Sequence, residues 1–176
     1  MKGRGQEGFT LMELLIVVAI ISIISAIAIP GLLRARMTSN EASAVASLRA
    51  TTSAQISFSA ACGSGGYAAG YILLGTPVGG GLPFISADLG TAAQPWKSGY
   101  TMNLVPGAAG LGGPADCHGN ASTASGFYAT ATPSAIGVTG TRGFAVNAGM
   151  TIWQDSTGAP PAEAAFATAG TISPVD

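Results

Sequence analysis

The chain has 176 residues, 9% of them charged, and a formal net charge of −1. That length admits one domain of ordinary size plus an additional element, and the few scattered basic residues exclude an electrostatic footprint for nucleic acid or acidic substrates. Twenty-six glycines among abundant alanine, serine and threonine suit short strands, turns and small-residue packing, not a charge-rich cytosolic enzyme.

The first eight residues, MKGRGQEG, are polar, with Lys2 and Arg4 partly offset by Glu7. Segment 14–29, LLIVVAIISIISAIAI, carries no charge, and its two serines, Ser22 and Ser25, can bond back to helix carbonyls. As a helix, residues 9–29 measure about 31 Å, which matches a hydrocarbon core of about 30 Å. A cleaved secretory signal has a shorter apolar region ending at a small-residue site, whereas this run continues into Pro30-Gly31-Leu32-Leu33-Arg34. A plain single-span anchor fits the hydropathy equally well but leaves the preceding Gly8-Phe9-Thr10-Leu11-Met12-Glu13 without a purpose. A carboxylate at the centre of a span costs about 2.5–3.5 kcal/mol, and less near an interface. Glu13 therefore needs a partner, or it sits at the interface and complements the positive end of the helix macrodipole, worth about 0.3–1 kcal/mol.

The stretch GFTLMELLIVVAIISIISAIAIP, residues 8–30, resembles the class III signal of type IV pilins and type II secretion pseudopilins. The resemblance implies cleavage after Gly8 by a prepilin peptidase, N-methylation of the new terminus at Phe9, and an assembly role for Glu13. It also implies indirect partners, an inner-membrane platform protein and a cytoplasmic assembly ATPase. The product is a filament of this chain alone or of mixed pilins, with no cofactor and no enzymatic activity. The precursor crosses the bacterial inner membrane once, and the assembled filament is periplasmic or extracellular. Cleavage creates an α-amino group with a reference pKa of about 7.7–8.0. That cation, at the edge of an apolar helix, calls for an anion, which the Glu13 carboxylate of an adjoining subunit can supply. Basic residues stand on both sides of the span, Lys2 and Arg4 before it and Arg34 and Arg36 after it. Charge therefore sets no orientation, and the cytoplasmic leader follows from the resemblance.

Pro30 and Gly31 predict a kink without ending the helix. Beyond them an apolar track through Val45, Leu48, Thr52 and Ile56 continues at helical period until Gly63-Ser64-Gly65-Gly66. One helix over 9–61 would be about 80 Å long. The expected organisation is a leader (1–8), a transmembrane and filament-core helix (9–30), an amphipathic helix (31–62) and a β-rich head (63–176). Arg34, Arg36, Glu41 and Arg49 read either as intersubunit ion pairs or as a solvated helix face.

Residues 67–113 read as a long exposed connection with one short element. Strands are expected at 99–105, 126–132, 141–147 and 150–155, with Phe127, Ala129 and Ala131 on one face and a tight hairpin at Asn147-Ala148-Gly149. The class is α+β, a long helix on a small antiparallel sheet. The tail, GAPPAEAAFATAGTISPVD, reads as irregular.

Cys62 and Cys117 favour a disulfide in a noncytoplasmic head, worth roughly 2–4 kcal/mol, with two free buried thiols as the alternative. The pilin bond usually lies nearer the C-terminus, so this placement departs from the family pattern. Asp116-Cys117-His118 groups three ligand types, yet the chain has one histidine and no C-x-x-C pair, so no metal site is expected. No nucleophile elbow or phosphate-binding loop occurs, and Asn120-Ala121-Ser122 matches a glycosylation sequon. Trp96 and Trp153 are expected in the head core or its interfaces. The alternative function is a bitopic envelope protein with a ligand-binding head that does not polymerise.

Overall fold

The computed structural model describes residues 8–166 and 170–175, so of the leader only Gly8 is described, and residues 167–169 and 176 of the tail lie outside it. Helix α1 runs Leu11–Ala61. It is followed by α2 (Tyr71–Gly75), α3 (Ala87–Gly90), β1 (Trp96–Lys97), β2 (Tyr100–Pro106), β3 (Phe127–Pro133), β4 (Gly143–Asn147), β5 (Ile152–Asp155), a 3₁₀ turn (Glu163–Ala165) and β6 (Ile172–Pro174). The chain divides between Arg36 and Met37 into two units.

The described part of the first unit is helix preceded by a short cap. Its apolar side chains, among them Leu14, Val18, Ile24 and Ile29, are exposed. By length and composition this helix suffices to cross a membrane. Ser22 Oγ donates to Val18 O at 2.7 Å, the back-bond expected of a serine in an apolar helix. The helix continues through Pro30, whose missing N–H removes the intrahelical bond to the carbonyl four residues earlier.

In the second unit six strands, among the described residues, form one antiparallel sheet in sequential order β1 to β6. Alternation selects the inner face. Tyr100, Met102 and Leu104 of β2 and Phe127, Ala129 and Ala131 of β3 are all buried, and the β2–β3 register runs from Tyr100 opposite Pro133 to Pro106 opposite Phe127. These side chains share one core with Ala44, Val45, Leu48, Ala54 and Phe58 of α1. The four predicted strands are present, shifted by one or two residues. The hairpin after β4 closes through Met150 N–H to Asn147 O at 2.9 Å.

Several expectations are corrected. The buried stripe of α1 passes from Leu48 through Thr51, Gln55 and Phe58, while Ile56 is 46% exposed and Thr52 only half-buried. The stripe accepts polar residues because each finds a partner. Gln55 Nε2 donates to Ala68 O and Gln55 Oε1 accepts from Ala68 N–H, both at 2.8 Å. Thr51 Oγ1 and Tyr71 Oη lie 3.0 Å apart, and burial pushes the Tyr71 phenol up to about 12. Gln55→Leu is expected to destabilise the head by about 2 kcal/mol, because it leaves a buried N–H and C=O unpaired. Urea denaturation of the full chain in detergent checks this.

Region 67–113 is not an exposed connection, since Tyr71, Leu74, Ile85 and Leu89 from it are buried in the core. Gly99, expected to open a strand, instead forms a two-residue turn with Ser98. Both have positive φ (48° and 75°), as a type I′ hairpin between β1 and β2 requires. The tail is not irregular throughout, because β6 pairs with β5 from Trp153 opposite Pro174 to Asp155 opposite Ile172. Trp96 is 66% exposed and does not fill the core; its indole N–H donates to Ser134 Oγ at 2.9 Å. Trp153 stacks on Phe166 with ring centroids 5.6 Å apart.

Candidate functional site: the N-terminal processing and assembly segment

Gly8 and Phe9 precede α1, and Phe9 is 79% exposed. Thr10 is the residue from which the helix starts, since its carbonyl accepts from Leu14 N–H at 3.3 Å. Its hydroxyl accepts from Glu13 N–H at 3.2 Å and donates to Glu13 Oε2 at 2.6 Å, while Thr10 N–H donates to the same Oε2 at 3.0 Å. This reciprocal pairing is a capping box, which satisfies two of the orphan donors at a helix start. Glu13 thus has a structural partner within its own chain. Thr-x-x-Glu ahead of an apolar run is the ordinary sequence signature of this box, and the charge of Glu13 alone does not reveal it.

The capping bonds use Oε2 alone and leave Oε1 outside the box. A carboxylate held at the first turn of a helix that carries no other charge before Arg34 concentrates negative charge at one defined height along that stretch. Gly31 adds no side chain after Pro30, and a Cβ there would meet nothing within 4 Å. Arg34 and Arg36 are exposed in the first unit, and Arg49 is exposed on α1 in the second.

Glu41 departs from expectation. It is neither solvated nor set out for a neighbouring chain, being 5% exposed within the head. Its Oε1 accepts from Thr141 N–H at 2.8 Å, Thr141 Oγ1 at 2.9 Å and Arg142 N–H at 3.3 Å. Its Oε2 accepts from Arg142 Nε at 2.9 Å and Nη2 at 2.6 Å. Arg142 also donates to Gln154 Oε1 at 2.7 Å. Burial would raise the Glu41 carboxyl, but the bonds from Arg142 and Thr141 outweigh it and hold the group below its ordinary value. Two neighbours in α1 make the same connection, Asn40 Nδ2 to Thr139 O and Ser43 Oγ to Ser98 Oγ, both at 2.9 Å. These bonds set where α1 lies against the turns at one end of the sheet.

Cys62 and Cys117 form a disulfide with Cα atoms 4.9 Å apart. The Cys117 and Asp116 loop is further tied by Cys117 N–H to Cys62 O at 3.0 Å. Asn120 of the sequon has its side-chain amide bonded to Asp116 Oδ2 at 2.8 Å.

Residues 3–29 match a family model described as the prokaryotic N-terminal methylation motif. The chain is 51% identical over 52 residues to the type IV major pilin protein PilA of Myxococcus xanthus, which is 30% of this chain and 24% of that protein. It is 58% identical over 38 residues to the type IV wide pilus major component PilA4 of Thermus thermophilus, which is 22% of this chain and 29% of that one. The matched parts therefore span less than a third of each relative's length. No solved structure matches the chain significantly.

Proposed function

We propose that this chain, whose N-terminal segment is that of the type IV pilin family, is a noncatalytic structural subunit of a pilus, cut after Gly8, methylated on Phe9 and assembled through its N-terminal helix. The observation that carries the reading is the exposed apolar helix with Glu13 held in its first turn, a few residues after the cleavable edge. An apolar surface of that extent is stable only in lipid or against other apolar helices, and the proposed life cycle uses both environments in turn.

In the membrane the helix is a single span with the leader in the cytoplasm and the head outside it. On extraction, the α-ammonium of Phe9 pairs with a neighbour's Glu13, so register is set by charge. Close packing of residues such as Ala19, Ala26 and Ala28 supplies the rest. The peptidase, the platform protein and the assembly ATPase are the proposed partners. That both relatives are named as major pilus components favours a pilus over a secretion pseudopilus.

Mass spectrometry of the chain recovered from cell-surface fractions tests the processing. A mature N-terminus of N-methylated Phe9 is expected. An intact Met1 would point instead to an envelope protein that never polymerises.

A further inference from the structure

Cys62 and, 55 positions later, the adjacent pair Cys117 and His118 bring three side chains of metal-binding type together at one corner of the head. Cys62 Sγ, Cys117 Sγ and a ring nitrogen of His118 all lie within 4.8 Å of one another. His118 Nδ1 is 3.4 Å from Cys62 Sγ and 3.8 Å from Cys117 Sγ. Its other nitrogen, Nε2, is 3.0 Å from Thr76 O. A carbonyl can only accept, so Nε2 carries the proton in the neutral ring and the Nδ1 lone pair is directed at the sulfurs. This is the tautomer that a metal-ligating histidine needs, fixed by the kind of backbone acceptor that such histidines use.

We propose that reduction of the Cys62–Cys117 bond converts this corner into a zinc site of two thiolates and the His118 imidazole, with a fourth position open to water. Distances favour it. Zn–S bonds of about 2.3 Å and Zn–N bonds of about 2.0–2.1 Å in a tetrahedron put sulfur and nitrogen about 3.5 Å apart and the two sulfurs about 3.8 Å apart. Both nitrogen–sulfur separations are already close to that value. Only the sulfurs have to part.

Hydrogen bonds other than the S–S bond also hold this corner. Cys117 N–H donates to Cys62 O at 3.0 Å. Asp116 Oδ1 accepts from His118 N–H at 3.0 Å and from Asn120 N–H at 2.9 Å, so the loop that presents Cys117 and His118 is held by its own carboxylate. Phe58 lies nearly parallel to the imidazole, with 10° between planes and 6.2 Å between ring centroids. The preference for zinc follows from two thiolates and one imidazole.

The chemistry balances in two steps. A dithiol reductant gives up two electrons and two protons to the S–S bond and becomes a disulfide, leaving two cysteine thiols. Zn²⁺ then displaces those two protons as it forms two Zn–S bonds and accepts the Nδ1 lone pair. The inference does not rest on the filament reading.

The test uses the full chain in detergent, reduced with a phosphine, which takes the oxygen of a water molecule and leaves as its oxide. Zn²⁺ is titrated against a chromophoric chelator, and Co²⁺ serves as a spectroscopic probe. One Zn²⁺ per reduced chain is expected, with none for the oxidised chain, and Co²⁺ should give a thiolate charge-transfer band with tetrahedral visible bands. His118→Ala should weaken Zn²⁺ binding at least about tenfold, and the Cys62→Ser, Cys117→Ser double variant should not compete. If reduction loosens the head, Zn²⁺ should restore its near-ultraviolet circular dichroism. The proposal is overturned if the reduced chain competes no better than the double variant, if His118→Ala binds like the parent, or if a loosened head is not restored.

Discussion

Glu13→Ala is expected to insert into the membrane as well as the unsubstituted chain does and to form no filaments. Insertion depends on residues 14–29, which the change leaves intact. In the proposed filament, assembly depends on an anion for the Phe9 α-ammonium, and an uncompensated charge in a low-dielectric core is worth several kcal/mol, on the order of a thousandfold per subunit added. Because Glu13 also closes the capping box with Thr10, loss of assembly alone would leave two explanations. Glu13→Gln separates them, since glutamine at that position keeps the box but carries no charge; it too should fail. Thr10→Val breaks the box and keeps the charge, weakening the helix start by about 1 kcal/mol, and should still assemble. Membrane fractions and sheared filaments are compared by immunoblot, and normal filament yield from Glu13→Gln would remove the charge pair from the account.

Glu41→Ala is expected to destabilise the head by about 3 kcal/mol. The side chain is buried and accepts five hydrogen bonds from residues 141 and 142. Removing it leaves two backbone donors and a guanidinium short of partners. The Arg142 side chain is 40% exposed, so water recovers part of its loss. The pH dependence has a definite sign. Glu41 is held below its ordinary value in the folded head, so its contribution is fully present above the unfolded value of about 4.3. That contribution is lost as pH falls through the lower, folded value. The difference in denaturation midpoint between the parent and Glu41→Gln should therefore be constant near neutral pH and shrink below about pH 4–5. Asp88, Asp116 and Asp155 are also held low, but they are common to both chains and cancel in that difference. A gap that stays constant down to acid pH would contradict the assigned role.

The N-terminal methylation motif was legible because its residues are contiguous. Gly8, Phe9, Glu13 and Pro30 lie within one stretch of sequence, and helix geometry converts their spacing directly into position. The Thr10 cap is equally local, carried by the Thr-x-x-Glu spacing and not by the charge of Glu13. In the head, legibility followed element length. Strands of four to seven residues showed alternation or turn boundaries. By contrast β1, β6, α2 and α3, with two to five residues each, span no more than about one and a half repeats of their own period, too few to reveal them.

The remaining misses are long-range pairings. Glu41 meets Arg142 across 101 positions, and Gln55 is buried because Ala68 presents both backbone groups to it. Hydropathy therefore gave no sign of either burial, and it favoured Ile56 for the stripe that Gln55 occupies. The cysteines were paired correctly from count and compartment, but the approach of the His118 ring to Cys62 is a consequence of tertiary folding.

The central claim is that this chain is the repeating unit of a filament. Electron cryomicroscopy of filaments sheared from cells that express it, with subunit identity established by mass spectrometry, tests that most directly. The account predicts a helical array of this chain, its N-terminal helices packed in the core and Phe9 of one subunit within reach of Glu13 of a neighbour. Filaments lacking the chain, or an array in which Glu13 faces solvent far from any Phe9 terminus, would contradict it.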